Sequence, residues 1–124
     1  GELHALFSTL RGLLLQKDGN QLLSFDKGAF QPFLNVPELK SALTGYRASS
    51  RDTLFLSSLK DGLFYLSNSN KFGRYTTPHD ALLRDQRIYC STTLPHGQWA
   101  LGTSLGGLLV LDHKGRVFRH LTKK

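Results

Sequence analysis

Residues 100–110 read ALGTSLGGLLV, and two earlier stretches, LFSTLRGLLL at 6–15 and FLSSLKDGLFY at 55–65, follow the same plan. Each is a short apolar run, a small hydroxyl residue, a glycine followed by leucine, and a second apolar run. Aligned on Gly12, Gly62 and Gly107, the copies lie 50 and 45 residues apart. Ser8, Ser58 or Thr103 stands four positions before the glycine, and Leu13, Leu63 or Leu108 one after it. A repeat of this length with two or more short strands per unit points to propeller blades, because helical arrays would read at a helical period. The expected fold is all-β: about three four-stranded antiparallel β-propeller blades in a single domain over 1–124.

The blades are expected at about 1–35, 36–80 and 81–124. The first opens in a strand near 4–8, turns, continues over 12–16, turns again at Asp18-Gly19 and forms a third strand at 22–25. Asp26-Lys27-Gly28 is another turn, and Pro32 and Pro37 punctuate the passage to the next unit. The second unit has strands at 42–48, 53–57, 63–67 and 71–76. A helix over 37–45, with proline near one end and glycine at the other, competes with its first strand. The third unit has a polar loop at 77–86, strands at 87–94, 98–103, 107–112 and 116–121, and a turn at Pro95-His96-Gly97. That makes three, four and four strands. The first blade is therefore expected to be partial, without its opening strand, and the chain reads as cut from something longer.

Length and composition narrow the class. A chain of 124 residues with 40 % hydrophobic and 20 % charged residues can bury a core and is not disordered. No apolar run approaches the roughly 20 residues that span a bilayer, and membrane contact by this segment is not expected. No charged-then-apolar signal opens the sequence, so a targeting signal is expected outside it. The single cysteine, Cys90, excludes an internal disulfide and multi-cysteine metal sites; beside Ile88 and Tyr89 it is expected to be buried and inert. The net charge of +7 favours anionic partners. The basic residues are scattered and not gathered with stacking aromatics, which argues against direct nucleic-acid binding.

The repeated residues read as scaffold. Leu6, Leu56, Leu101, Leu13, Leu63 and Leu108 are expected between stacked sheets, about 10 Å apart. The three glycines mark a backbone conformation or close approach closed to side chains, and the hydroxyls are expected to bond the turn backbone.

The phrase Trp99-Ala100-Leu101-Gly102-Thr103, then Gly106-Gly107-Leu108, Leu111-Asp112 and Gly115, resembles the Trp-Ile-Gly-Thr…Gly-Leu…Tyr-Asp pattern of two-component regulator propeller repeats. The second unit resembles it with Leu54 for the tryptophan and Ser57-Ser58 for Gly-Thr, the first with His4 and Phe7-Ser8. The resemblance implies seven-bladed propellers, usually in tandem, then a small β-sandwich, a membrane span and a cytoplasmic histidine kinase or DNA-binding output. It implies a periplasmic sensor region that detects glycan breakdown products in Bacteroides-type bacteria. The output would lie outside this chain.

Catalysis is not expected. Gly-x-Ser-x-Gly is absent, no pair of carboxylates stands out for glycosidase work, and Asp112-His113-Lys114-Gly115 lacks the alternation of a calcium loop. His4, His79, His96, His113 and His120 do not make a zinc set, so no metal or cofactor is expected. Ligand binding is assigned to one rim, where the turn between second and third strands meets the connection to the next blade. That rule groups Arg11, Lys60 and Asp61 with Arg84, Asp85 and Arg87, whose arginines suit carboxylate or sulfate groups. The expected partners are an oligosaccharide, the remaining blades of a longer protein and a second copy of the segment.

Overall fold

The computed structural model describes residues 2–9, 12–49, 52–104 and 107–121. Among these residues twelve strands form three four-stranded antiparallel sheets, each of consecutive strands. The first sheet holds β1 (Leu3–Thr9), β2 (Gly12–Lys17), β3 (Gln21–Asp26) and β4 (Ala29–Asn35). The second holds β5 (Leu43–Ala48), β6 (Leu54–Ser58), β7 (Leu63–Leu66) and β8 (Phe72–Arg74). The third holds β9 (Ile88–Thr93), β10 (Trp99–Thr103), β11 (Leu108–Leu111) and β12 (Val117–Leu121). Burial alternates residue by residue along the edge strand β5, whereas β6 and β7 are covered on both faces. That is why the middle strands read as unbroken apolar runs.

Two expectations are corrected. The first sheet is complete: β4 was missed because Pro32 looks like a strand breaker. It sits on an edge strand at a register shift opposite Leu22 and Leu23, where the missing N–H costs no ladder bond. The repeat is also out of phase in the first sheet. β1, β5 and β9 all carry a bulge at the same rung, between Leu3 and Ala5, between Leu43 and Gly45, and opposite Gly102 and Thr103. These three are equivalent first strands. Gly12 therefore opens the second strand, while Gly62 and Gly107 lie between second and third; in the first sheet that turn holds Gly19. All four glycines have positive φ, 97°, 84°, 73° and 81° for Gly12, Gly62, Gly107 and Gly19. Either hairpin can use such a residue, so glycine alone does not say which hairpin it marks.

The strand reading of 42–48 holds, in place of a helix over 37–45. The 77–86 segment is not all loop: it contains α1 (Asp80–Arg84). Thr77 and Asp80 start this helical turn reciprocally, the Asp80 carboxylate accepting from Thr77 N–H at 2.7 Å and Thr77 Oγ1 from His79 N–H at 3.1 Å. Thr77-Pro78-x-Asp80 is a capping signal that the sequence displays.

Apolar side chains fill the two junctions between sheets. Leu14, Leu22, Leu54, Leu56, Phe64 and Leu66 lie between the first and second. Leu63, Ile88, Trp99, Leu101, Leu109 and Leu111 lie between the second and third. Leu56, Leu63 and Leu101 are buried as expected, whereas Leu6 is 58 % and Leu108 37 % exposed. Leu6 alternates with Ala5 and Phe7, which face the second sheet, and Leu108 precedes the inward-facing Leu109, so both point away from the stack. Cys90 is exposed for the same reason. Its neighbour Ser91 faces the second sheet and bonds Ser57 (Oγ···Oγ 2.7 Å). The Cys90 thiol lies instead over Gly102, where a Cβ would stand 2.8 Å from Sγ.

Backbone amides tie the sheets together at one end. Ile88 N–H, opening β9, donates to the Leu59 carbonyl of the second sheet at 3.2 Å. The equivalent Leu43 N–H, opening β5, donates to the side-chain Oε1 of buried Gln16 at 2.7 Å. The Gln16 Nε2 group donates to the carbonyls of Gly19 and Ser41 at 2.7 and 2.8 Å. A glutamine amide thus performs in the first turn what the backbone performs in the second. No helix among the described residues is long and apolar enough to cross a membrane.

Candidate functional site

Lys60 and Asp61 lie between β6 and β7, and Arg87 just before β9, and the structure shows what holds them. Asp61 Oδ2 accepts from Lys40 N–H at 2.9 Å and Ser41 Oγ at 2.6 Å, fixing the segment that leads into β5. Lys60 N–H donates to Ser41 Oγ at 2.9 Å and Arg87 N–H to Ser104 Oγ at 3.1 Å, while both side chains stay exposed. Arg74 Nη1 donates to the Asp61 carbonyl at 2.6 Å. The Asp61 carboxylate is therefore a loop clasp. The adjoining hollow, with Asp61, Arg74, Thr76 and Asp80, has a volume of about 60 Å³, too small for a sugar. Asp85 caps α1, and Arg84 ends it. Arg11 lies outside the described residues.

A second site, which the sequence reading missed, lies at the opposite end of the junction between second and third sheets. Arg47, on β5, pairs across the ladder with Phe55, which pairs with Tyr65. This row faces the third sheet. Arg47 is only 4 % exposed, and its guanidinium carbon lies 4.4 Å from the centre of the Phe55 ring. Tyr75 packs on Phe55 with centroids 4.6 Å apart. Burial pulls the Arg47 pKa down, with Tyr75 opposing the shift. Burial pushes Tyr75 up, Arg47 offsets this, and the Asp112 carboxylate adds to it. Arg47 Nε has no hydrogen-bond partner, and among the described residues no carboxylate forms an ion pair with this guanidinium. The guanidinium keeps its charge over the working pH range.

Beside Arg47 opens a cleft of about 620 Å³, lined also by Ser49, Thr53, Phe55, Thr93 and His113. That volume is in the range of small-molecule sites. Among the described residues the lining combines one buried cation, an aromatic ring and hydroxyl-bearing walls, which suits a small polar anion. The signal was present in residues 43–48, where strand alternation puts Gly45 and Arg47 on one face. Without the register, nothing said that this face is buried. No group of histidine, cysteine and acidic residues that could hold a metal is present among the described residues.

No family model matches this sequence, and neither does any curated protein. The fold is similar to that of a protein of unknown function from Bacteroides caccae, known from a crystal structure, with a TM-score of 0.68 and 14 % identity. The match covers 96 % of this chain and 48 % of that one, so the chain spans about half the length of that protein. At this identity the likeness establishes the all-β fold with several sheets and carries no activity across.

Proposed function

We propose that this chain is a ligand-recognition segment of a periplasmic sensor, three consecutive propeller blades of a membrane-spanning two-component regulator that responds to carbohydrate. The observation that supports ligand recognition most directly is the inter-sheet cleft beside Arg47. The sequence phrase around Trp99 supports the regulator family, and the equivalent first strands β1, β5 and β9 support blades stacked about a common centre. Lys60, Arg84 and Arg87 belong to this reading as rim contacts. In it the segment needs no metal or cofactor and performs no catalysis. Titration with a panel of neutral and acidic oligosaccharides tests it: saturable binding by at least one is expected, and a blank panel overturns it.

A second reading, a protein-interaction segment without a small-molecule site, is favoured by a different observation. Leu3, Leu6, Phe25 and Phe30 are exposed on the first sheet, and Leu108 and Leu121 on the third. Such faces are covered by further sheets or by a second copy. A blank oligosaccharide panel together with self-association in light scattering would favour this reading.

A further inference from the structure

We infer that the cleft between the second and third sheets is a carboxylate-binding site, in which the Arg47 guanidinium pairs with one carboxylate of the ligand. The inference rests on the ligand-recognition reading only in taking that ligand to be a sugar acid.

The internal repeat provides the control. Phe7 pairs with Leu14, Arg47 with Phe55 and Thr92 with Ala100, all at the same rung of their sheets, two residues beyond the bulge partner. At the first junction Phe7 packs edge-on against Tyr46, with centroids 5.7 Å apart. The scaffold therefore accepts a phenyl ring at this rung, and stacking of sheets does not require a cation there. At the second junction the rung holds a guanidinium, nine-tenths buried, which is hydrogen-bonded to Tyr75 but keeps an unpartnered Nε–H and has a cleft beside it. A buried charge is costly unless paired. Phe55 and Tyr75 offset part of that cost without neutralising it.

The chemistry of the partner follows. The guanidinium fork matches the planar geometry of a carboxylate and takes it through two parallel N–H···O bonds. Among the described lining residues Arg47 is the only arginine or lysine, and one such cation balances one negative charge. A phosphate monoester, carrying about −1.5 to −2 at neutral pH, would leave charge uncompensated against the low-dielectric wall of Phe55. A sulfate ester also carries one charge but is tetrahedral, so it is the competing ligand in the test. Thr53, Thr93 and His113 line the cleft and would face the sugar ring.

The test is an NMR titration of the whole chain with methyl glucuronide, methyl glucoside, a glucose sulfate ester and acetate, following the Arg47 Nε–H resonance and the amides of Thr53, Thr93 and His113. Saturable shifts with the glucuronide and none with the glucoside are expected. Arg47→Lys, which keeps the charge but not the fork, should weaken glucuronide binding at least about tenfold, and Arg47→Phe should abolish it. A thermal melt of each variant shows that it is folded, and the wild-type titration stands alone if either is not. An unmoved Arg47 resonance, a glucuronide affinity unaltered in Arg47→Phe, or a sulfate ester that binds as well as the glucuronide overturns the inference. Binding of a neutral oligosaccharide elsewhere, with Arg47 unmoved, overturns it and leaves carbohydrate recognition standing. Shifts with acetate equal to those with the glucuronide support it and count against a sugar ligand.

Discussion

The two junctions between sheets are built on the same ladder and filled differently. Between the first and second sheets the contacts are leucine and phenylalanine, with Phe7 against Tyr46. The buried polar side chain there, Gln16, bonds through both its amide oxygen and its nitrogen. Between the second and third sheets the strands approach so closely that a Cβ on Gly45 would overlap the Ser91 side chain and lie 2.6 Å from its carbonyl oxygen. That junction also contains Arg47 Nε and Trp99 Nε1, buried without partners. A fully satisfied junction needs no explanation beyond folding. Orphan donors beside a cleft mark a place where packing has yielded to another requirement.

The largest expected effect breaks the satisfied junction. Gln16→Leu leaves Leu43 N–H and two carbonyls without their partner, and should cost roughly 3 kcal/mol in urea unfolding. A loss under about 1 kcal/mol would mean that water replaces the amide readily. Gly45→Ala presses a methyl group into Ser91 at the tighter junction and should cost about 2 kcal/mol. Ala5 occupies the equivalent rung of β1, so Ala5→Gly should cost less, about 1 kcal/mol or below, and equal losses would erase the distinction in spacing.

Arg47→Phe converts the second junction toward the first. It removes a buried charge that has no ion-pair partner among the described residues, and the unliganded protein should become more stable by about 1 kcal/mol, read as a higher melting temperature. A lower one would assign Arg47 to the scaffold. Smaller still is the response of the 112–116 hairpin beside the cleft. Asp112 has its pKa lowered by the backbone N–H of Arg116, then that of Lys114, and by the Arg116 side chain. A depressed folded value means the carboxylate contributes stability above the ordinary aspartate range and loses it as pH falls through the lowered value. The amide shifts of Lys114 and Arg116 should therefore move only below the usual carboxylate pKa, and Asp112→Asn should flatten the response. The least perturbing probe is Cys90, exposed on the free face of the third sheet. A thiol reagent should label it in the native protein without a change in melting temperature, and protection until unfolding would show that this face is covered.

Much of the strand order was legible because its signals are local. Asp18-Gly19, Lys60-Asp61-Gly62 and Pro95-His96-Gly97 each interrupt apolar runs, and in the structure each connects two consecutive strands, the last as a short 3-10 helix. The loop positions of Lys60 and Asp61, between β6 and β7, and of Arg87, before β9, follow from strand order. The bonds from Lys40 and Ser41 to the Asp61 carboxylate do not, because they join residues 21 and 20 positions apart. The Arg47 site was not legible, because a single arginine in a strand says nothing about which face its neighbours cover.

The residues alone, through hydrophobic runs of strand length broken by turn-forming glycine, aspartate and proline, determined an all-β chain of three repeated units. Those preferences act within a few residues and survive without knowledge of the fold. Only the tertiary structure decided the phase of the repeat, the completeness of the first sheet, the exposure of Leu6, Leu108 and Cys90, and the burial of Arg47. Each of these depends on register and on which sheet lies opposite. A shift of one rung turns every side chain to the other face, and long-range pairing alone sets that rung.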